Sequence, residues 1–502
     1  MIPVQRVVSD RIIKSSKGTC EIKVHPLVNP NILSQRYATR EMNAIFSEEG
    51  KARYERDLWL AVLNAQKELG LEIPMEAIEA YQKAKAEIDL GLIKEIEMRT
   101  KHDVKAKIEA YNIVSGDYEY LHMGMTSRDL TDNVEQLQIK KAGRILLGKY
   151  VSVLQHLLDK ADEYRHIGIA ARTHHQAAQP TLLGRRFAMW AEELHSHLTN
   201  YEKYLDSYPL RGIKGAVGTQ FDMANLMGSP EKASLLEEKV AKSLGFTEIL
   251  NAPGQVYPRS LDYTLISHLV ALASACESFA KTIRLMAGYE LVTEGFKEGQ
   301  VGSSVMPHKM NTRSTERICA FSHLLKMYSD GASRLAGDQW EEGDVSCSAL
   351  RRVIIPDAYY ASDGLVETAL TVLNQMGIYP TIIEEELDRY LPFLATTSIL
   401  GVALSHGMGR EKAYNIIKTH AIAEALRMRE QGTQKNKLVH SLAQDSDFKA
   451  SGITADELNE ILKDRTRFIG NAYNQIDAVK AKVQPLIQRH STEAQYEPKD
   501  IL

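Results

Sequence analysis

The chain has 502 residues, and at roughly 150 residues per domain that length is a prior for about three domains with a sizeable core. A net charge of −4, from 61 Lys+Arg against 65 Asp+Glu, argues against a nucleic-acid coat or an anionic-membrane binder. The 44% hydrophobic and 25% charged fractions are those of a soluble globular chain rather than a disordered one.

Four scattered cysteines (Cys20, Cys276, Cys319, Cys347) without a CxxC pair read as free thiols in a reducing compartment, not as a disulfide framework. No apolar run reaches the roughly 18 residues of a spanning helix. The opening MIPVQRVVSDRII lacks the basic-then-apolar order of a signal peptide, so the expected location is the cytoplasm.

In chain order, strand signals are scarce, and the alternation over Cys20–Val24 is the best of a weak set. Proline placement carries more. None falls between Pro74 and Pro180, from Pro258 to Pro307, or from Pro392 to Pro485. Such stretches, rich in Ala, Leu, Glu, Lys and Arg, read as long helices, because an interior proline costs about 3 kcal/mol.

The segment Thr100–Ala106 sets Lys101 and His102 beside Asp103, and its plain reading is a solvated helix face. In Leu121–Asn133, Thr126 and Ser127 followed by Asp129 mark a helix N-terminus, either a simple cap or one whose free N–H groups hold a carboxylate. Helical periodicity follows through Val134, Leu137, Ile145, Leu146, Val151, Leu154 and Leu158. A helix of roughly 30 residues spans about 45 Å and calls for a bundle.

The next segment, Ala171–Thr181, reads as a loop. Its adjacent His174 and His175 are a poor metal pair without further ligands, no HExxH is present, and a lone structural histidine is the usual case. Pro180 fits the first turn of a third long helix that runs through Trp190 and Leu194 to about Asp206. Another begins near Leu261, and its Ala271, Ala273, Ser274 and Ala275 allow close helix approach.

The most unusual stretch is EGQVGSSVMPHKMNTRSTER, Glu298–Arg317, where glycine, paired serines and three cations interrupt two helical patterns. It is either a solvated connection or a loop that contacts an anion. A turn near Gly377–Pro380 precedes helical patterns at Glu384–Tyr390 and Gly409–Gln431, and the polar residues after Pro485 read as frayed. The expectation is an all-α chain in three parts, 1–125, 126–379 and 380–502, with a long-helix middle. P-loop, GxGxxG and GxSxG motifs are absent from the sequence, which removes support for nucleotide hydrolysis, dinucleotide redox and triad hydrolysis.

The run Gly302–Asn311, GSSVMPHKMN, resembles the signature loop of the fumarase/aspartase superfamily. The order T-H-x-Q-x-A-x-P at Thr173–Pro180 and the Thr126–Ser127 loop resemble two further superfamily segments, in the same chain order. Within the superfamily the chain is most similar to the adenylosuccinate lyases, through Arg36-Tyr37, Lys101-His102-Asp103, GMTSRDLTDN, GQVYPRSLD (Gly254–Asp262) and DVSCSALRR (Asp344–Arg352).

The resemblance implies a cofactor-free and metal-free lyase. It would release fumarate from adenylosuccinate to give AMP, and from the succinylated aminoimidazole carboxamide ribotide (SAICAR) to give AICAR. It also implies a homotetramer with a twenty-helix core and active sites assembled from three subunits, with neither nucleic acid nor membrane as partner.

Elimination removes a weakly acidic C–H beside a carboxylate and protonates a departing nitrogen, so it needs a base and an acid on opposite sides of the substrate. The resemblance assigns Ser303 as base and His174 as acid. Serine becomes basic only where water is excluded and the alkoxide is surrounded by cations and donors, for which Lys309 is the nearest candidate. Thr126, Ser127, Lys309 and Asn311 are implied for the carboxylates, with His122 assisting. Arg36, Tyr37, Ser348 and Arg352 are implied for one phosphate pocket, arginine forks suiting phosphate. Lys101, His102 and Asp103 would lie near the substrate, Gln255 near its succinyl or base portion, and Arg317 near phosphate or ribose.

Two positions depart from the family pattern. Gly343 stands where many relatives carry arginine, with neighbouring Arg351 as a possible substitute, and Thr312 replaces the usual proline after the loop asparagine. The alternatives are a sister lyase or cycloisomerase acting on another succinyl-type or carboxymuconate substrate, and a non-catalytic helical protein on the same scaffold.

Overall fold

The computed structural model describes residues 31–295, 305–499 and 501, together with the backbone of 12–15 and 18–21. Among these residues helices dominate, in agreement with the all-α expectation. The strands form three antiparallel pairs: β1 (Ile12–Ser15) with β2 (Gly18–Glu21), β3 (Gly168–Thr173) with β4 (Gln176–Leu182), and β5 (Val292–Thr293) with β6 (Gly377–Ile378). The anticipated strand at Cys20–Val24 overlaps β2 only in part, and residues 22–24 lie outside the described set.

Helices α1 (Glu48–Glu68), α2 (Leu90–Thr100) and α3 (Asp103–Val114) precede the bundle. Trp59, Tyr81 and Tyr111 pack with Leu58, Leu63 and Val104 in a cluster that also takes in Leu130 and Val134. The bundle consists of α4 (Ser127–Glu163), α5 (Leu183–Asp206), α6 (Ser260–Gly288), α7 (Arg313–Leu335) and α8 (Ser348–Gln375). With 37 residues, α4 is roughly 55 Å long. Trp190 meets Phe187 and Phe279 edge-on at 5.3 and 5.2 Å, and Ala273 and Ala275 are buried where α6 packs on its neighbours.

Four contacts set the helix directions. Gly184 N–H donates to Tyr164 O (3.0 Å), so α5 begins where α4 ends. Arg259, entering α6, reaches Asp132 near the start of α4 (3.0 Å). Tyr289, leaving α6, packs against His175 beyond the far end of α4 (ring centroids 5.6 Å apart). Arg351 at the start of α8 pairs with Glu135 of α4 (2.6 Å). Helices α4, α6 and α8 therefore run one way and α5 and α7 the other. The bundle has two ends, one where α4 begins and one where it finishes.

After the bundle, α9 (Pro380–Leu394) leads into a smaller cluster built on Ile399, Ile417, Leu442, Phe448 and Leu458, and α10 (Ala472–Arg489) returns to pack on α5 and α4. Cys276, Cys319 and Cys347 are buried free thiols. Among the described residues no helix is long and apolar enough to cross a membrane.

Two expectations are corrected. The stretch Ala171–Thr181 is mostly a β-hairpin, and Pro180 sits in β4 opposite Ala170, not in the first turn of α5. Its alanines carry helical propensity, but Ala170 packs on Leu387 and Leu394 of α9, and that tertiary contact prevails. Residues 486–499 are not frayed. Leu486 and Ile487 are buried, Tyr496 OH and Lys499 N–H donate to Glu367 (the latter at 2.7 Å), and Ser152 Oγ donates to Tyr496 O (2.7 Å). Polar residues dock here because a buried cluster, Lys149 with Asp363 and Glu367, offers them charged partners.

Candidate active site

At the end where α4 begins, Lys101 takes a left-handed conformation (φ 57°) to close α2, and His102 caps α3 by accepting Lys105 N–H on Nδ1 (3.3 Å). Lys101, His102 and Asp103 thus form a junction between two helices, not the uniform helix face of the plain reading. His122, also left-handed (φ 67°), accepts the indole N–H of Trp59 on Nδ1 at 3.2 Å, which leaves its proton on Nε2. Burial pulls the His122 pKa down to about 4, with Asp129 opposing and His102 adding to the depression. At neutral pH this imidazole is an uncharged hydrogen-bond donor, not an imidazolium acid.

Thr126 is the N-cap of α4 and Ser127 its first residue. Behind them Asp129 is fully buried. Its Oδ2 accepts Thr126 N–H (2.7 Å), and its Oδ1 accepts Arg211 (2.5 Å), Lys214 N–H (2.9 Å) and Gly215 N–H (3.1 Å). Asp129 therefore serves the interior of this loop, leaving Thr126 and Ser127 at its surface. The segment Arg211–Gln220 belongs to this end of the bundle and was not singled out from the sequence. Its one usable signal is the spacing Gly212, Gly215, Gly218 around Lys214, all three glycines at positive φ.

Gln255 reaches the same end. Its N–H donates to Glu342 O (2.6 Å), joining the run before α6 to the α7–α8 connection. The next residue, Gly343, has φ 143°, and a Cβ there would lie 3.0 Å from Val256 Cγ2. An arginine at this position would be strained on that backbone, which gives the departure from the family pattern a conformational reason. Arg351 does not replace it. Its guanidinium is buried and committed to Asp262 (2.7 Å), Glu135 (2.6 Å) and Tyr257 OH.

The implied phosphate pocket separates into two places within one chain. Arg36 and Arg317 both face the Tyr37 ring, at 6.0 and 5.3 Å from its centroid, and Tyr37 also packs edge-on against Phe321 (5.1 Å). Tyr37 meets α8 at Gly364. Ser348 begins that helix and Arg352 lies in its first turns, so they are roughly 24 and 18 Å away along it. Arg36, Tyr37 and Arg317 are brought together; Ser348 and Arg352 do not join them in the same chain.

At the other end, His174 and His175 are the two-residue loop of the β3–β4 hairpin, both left-handed (φ 50° and 61°) and both exposed. Two positive φ values make a primed turn, a geometry favoured by Asn-Gly. Holding two histidines there costs about 1–2 kcal/mol each. Beyond α6, Glu294 is buried, and its carboxylate accepts Ser314 N–H (2.8 Å) and Thr315 N–H (2.9 Å), so it caps α7. Thr312 occupies the N-cap position, Asn311 is half-buried, and Lys309 is exposed with its N–H on Met306 O (3.0 Å). Ser303 lies outside the described residues, as do Gly302 and Ser304.

The His174 turn and the Thr126–Ser127 cap stand at opposite ends of α4. Even if the whole hairpin folded back along the helix, six residues of strand recover only about 20 Å of its roughly 55 Å. One small substrate cannot touch both within a single chain.

Comparison with known proteins agrees with this architecture. A family model described as "Lyase" matches residues 37–323, and one described as "Adenylosuccinate lyase C-terminus" matches residues 392–479. The chain is 34% identical over 451 residues to adenylosuccinate lyase of Saccharomyces cerevisiae, covering 89% of this chain and 92% of that one. It is 32% identical over 456 residues to adenylosuccinate lyase of Methanothermobacter thermautotrophicus, covering 89% and 98%. Among solved structures, 3-carboxy-cis,cis-muconate lactonizing enzyme from Pseudomonas putida superposes with a TM-score of 0.79 at 20% identity, over 92% of this chain and 99% of that one. Fumarate lyase from Mesorhizobium sp. BNC1 superposes with a TM-score of 0.73 at 20% identity, over 91% and 100%. At that identity the structural likeness concerns the fold alone. With curated relatives matched along most of its length and a C-terminal family model of the same name, the chain is a lyase and belongs to the adenylosuccinate lyase family of the fumarase/aspartase superfamily.

Proposed function

We propose that the chain eliminates fumarate from adenylosuccinate to give AMP, and from SAICAR to give AICAR, as a homotetramer whose sites each draw on more than one subunit. His174 protonates the departing nitrogen and Ser303 removes the proton beside the carboxylate. Lys101, His102, Asp103, His122, Thr126, Ser127 and Gln255 form one wall of the site. Lys309 and Asn311 approach from the signature loop, and Arg36, Tyr37 and Arg317 take the phosphate end. The neutral state of His122 makes it a poor proton donor near neutral pH, which supports assigning the proton transfer to His174.

The observation that carries the shared site is the length of α4, which keeps the His174 turn and the Thr126–Ser127 cap far apart in one chain. Two antiparallel copies side by side bring opposite ends together. Exposed apolar side chains on the bundle helices, Leu285 (51%), Met327 (58%) and Val353 (54%), supply surface for such packing. Ser348 and Arg352 find a role in the same way, facing the phosphate end from a neighbouring copy.

The test is an ultraviolet assay of adenylosuccinate cleavage, followed by mixing two inactive variants, His174→Ala and the doubly substituted Thr126→Val/Ser127→Ala. Activity that returns after subunit exchange supports shared sites. Demonstrated exchange without any recovery sinks them, and turnover of carboxymuconate in place of adenylosuccinate sinks the substrate assignment.

A further inference from the structure

The His174–His175 turn does not hold its own conformation. Both residues are left-handed and both are exposed, and no glycine relieves the backbone. A side chain from β3 spans the turn instead. Arg172 Nη1 donates to His175 O at 3.2 Å, so the guanidinium grips the backbone carbonyl next to His174. The register of β3 against β4 shifts between Ala171 and Arg172, the kind of irregularity that re-aims a side chain at a strand end.

The same guanidinium is fixed on three other sides. Its Nη2 pairs with Glu386 of α9, and the two side chains are only 14% and 9% exposed. Its plane lies over Tyr289 at 4.4 Å and near Tyr390 at 5.4 Å. Tyr289 also packs against the His175 ring at 5.6 Å, so the second histidine is held by its side chain and its carbonyl.

From this geometry we infer that Arg172, locked by Glu386, is a positioning residue that holds the His174–His175 turn in the conformation from which His174 acts. The inference rests on the proposed acid role of His174. It gives α9, which lies outside the bundle, a direct effect on turnover. A planar fork is required, because one nitrogen must reach the carbonyl while the other keeps the carboxylate, and an ammonium group serves only one direction at a time.

The test compares Arg172→Gln, Arg172→Lys, Glu386→Gln and the Arg172→Gln/Glu386→Gln double variant in the full-length protein. Steady-state cleavage of adenylosuccinate and thermal unfolding are measured for each. Misplacing a reacting group by about 1 Å costs up to roughly 100-fold, so Arg172→Gln should lower kcat roughly 10- to 100-fold with KM within about threefold. Arg172→Lys should recover little of that loss, Glu386→Gln should lose less, and the double variant should be no worse than Arg172→Gln. Parental kcat in both Arg172→Gln and Glu386→Gln overturns the inference. So does a kcat loss in Arg172→Gln that vanishes well below its melting temperature, which would make the pair only an anchor for α9. His174→Ala is assayed alongside. If it retains parental turnover, the acid assignment itself fails; if it loses turnover while the Arg172 and Glu386 variants keep theirs, only the positioning role fails.

Discussion

Where α4 begins, three fully buried aspartates, Asp129, Asp132 and Asp262, are each paired with a buried arginine: Arg211, Arg259 and Arg351 respectively. Where α4 finishes, the histidine turn is exposed and one ion pair, Arg172–Glu386, stands behind it. Buried ion pairs add little net stability against apolar packing, but breaking one is costly, so they keep a single arrangement. The first end is rigidly braced from within, with the Thr126–Ser127 cap of α4 partly exposed in front of the buried pairs. The second is a small exposed turn braced by a single guanidinium. The two histidines repeat the contrast, His122 sunk against Trp59 and neutral, His174 carried outward on a strained turn.

The comparison is broken most directly at the histidines. If His174 is the general acid proposed above, His174→Ala should reduce kcat by roughly 10²–10⁴-fold without loss of the fold. His122→Ala should reduce it less, since a neutral donor orients without transferring a proton. Steady-state assays with circular dichroism decide, and the reverse ranking would exchange the two roles.

Next in size is Arg211→Met, which strips Asp129 of its cation and should cost about 3–5 kcal/mol in chemical denaturation. Glu386→Gln at the other end should cost clearly less. Equal losses would erase the difference in construction.

A third measurement is pH dependence. The folded pKa of His122, about 4, lies below the ordinary 6.5, so the unfolded chain takes up the proton first on acidification. Its contribution to stability is complete above about pH 6.5 and declines as pH falls toward 4, by about 3 kcal/mol at most. Denaturation midpoints at pH 7 and pH 5 should converge in His122→Phe; an unchanged dependence would place the sensitivity elsewhere.

The smallest expected effect is that of Gly343→Arg. Restoring the family residue at φ 143° should cost about 1–2 kcal/mol and leave the KM for adenylosuccinate no better. A lower KM would mean that the backbone there adapts.

Much of this molecule is legible without coordinates. Absence of proline and a 3.6-residue apolar period place the long helices, because both are local requirements of the helical backbone and of one buried face. Thr126–Ser127–Asp129 announces the start of α4 for the same reason, since a cap is satisfied within four residues. Other features depend on partners distant in sequence. Asp129 finds Arg211 and the amides of Lys214 and Gly215 more than eighty residues away, and Tyr496 and Lys499 find Glu367.

The hairpin at His174 is the clearest case. Alanine-rich strands and a His-His loop carry none of the usual strand or turn signals, and only packing on α9 makes them pay. Local rules thus determined the helices and the motif segments at their ends. Tertiary structure alone decided which end of the bundle each motif occupies, because the direction of a helix and the identity of its neighbours are set by burial and charge pairing across the whole chain.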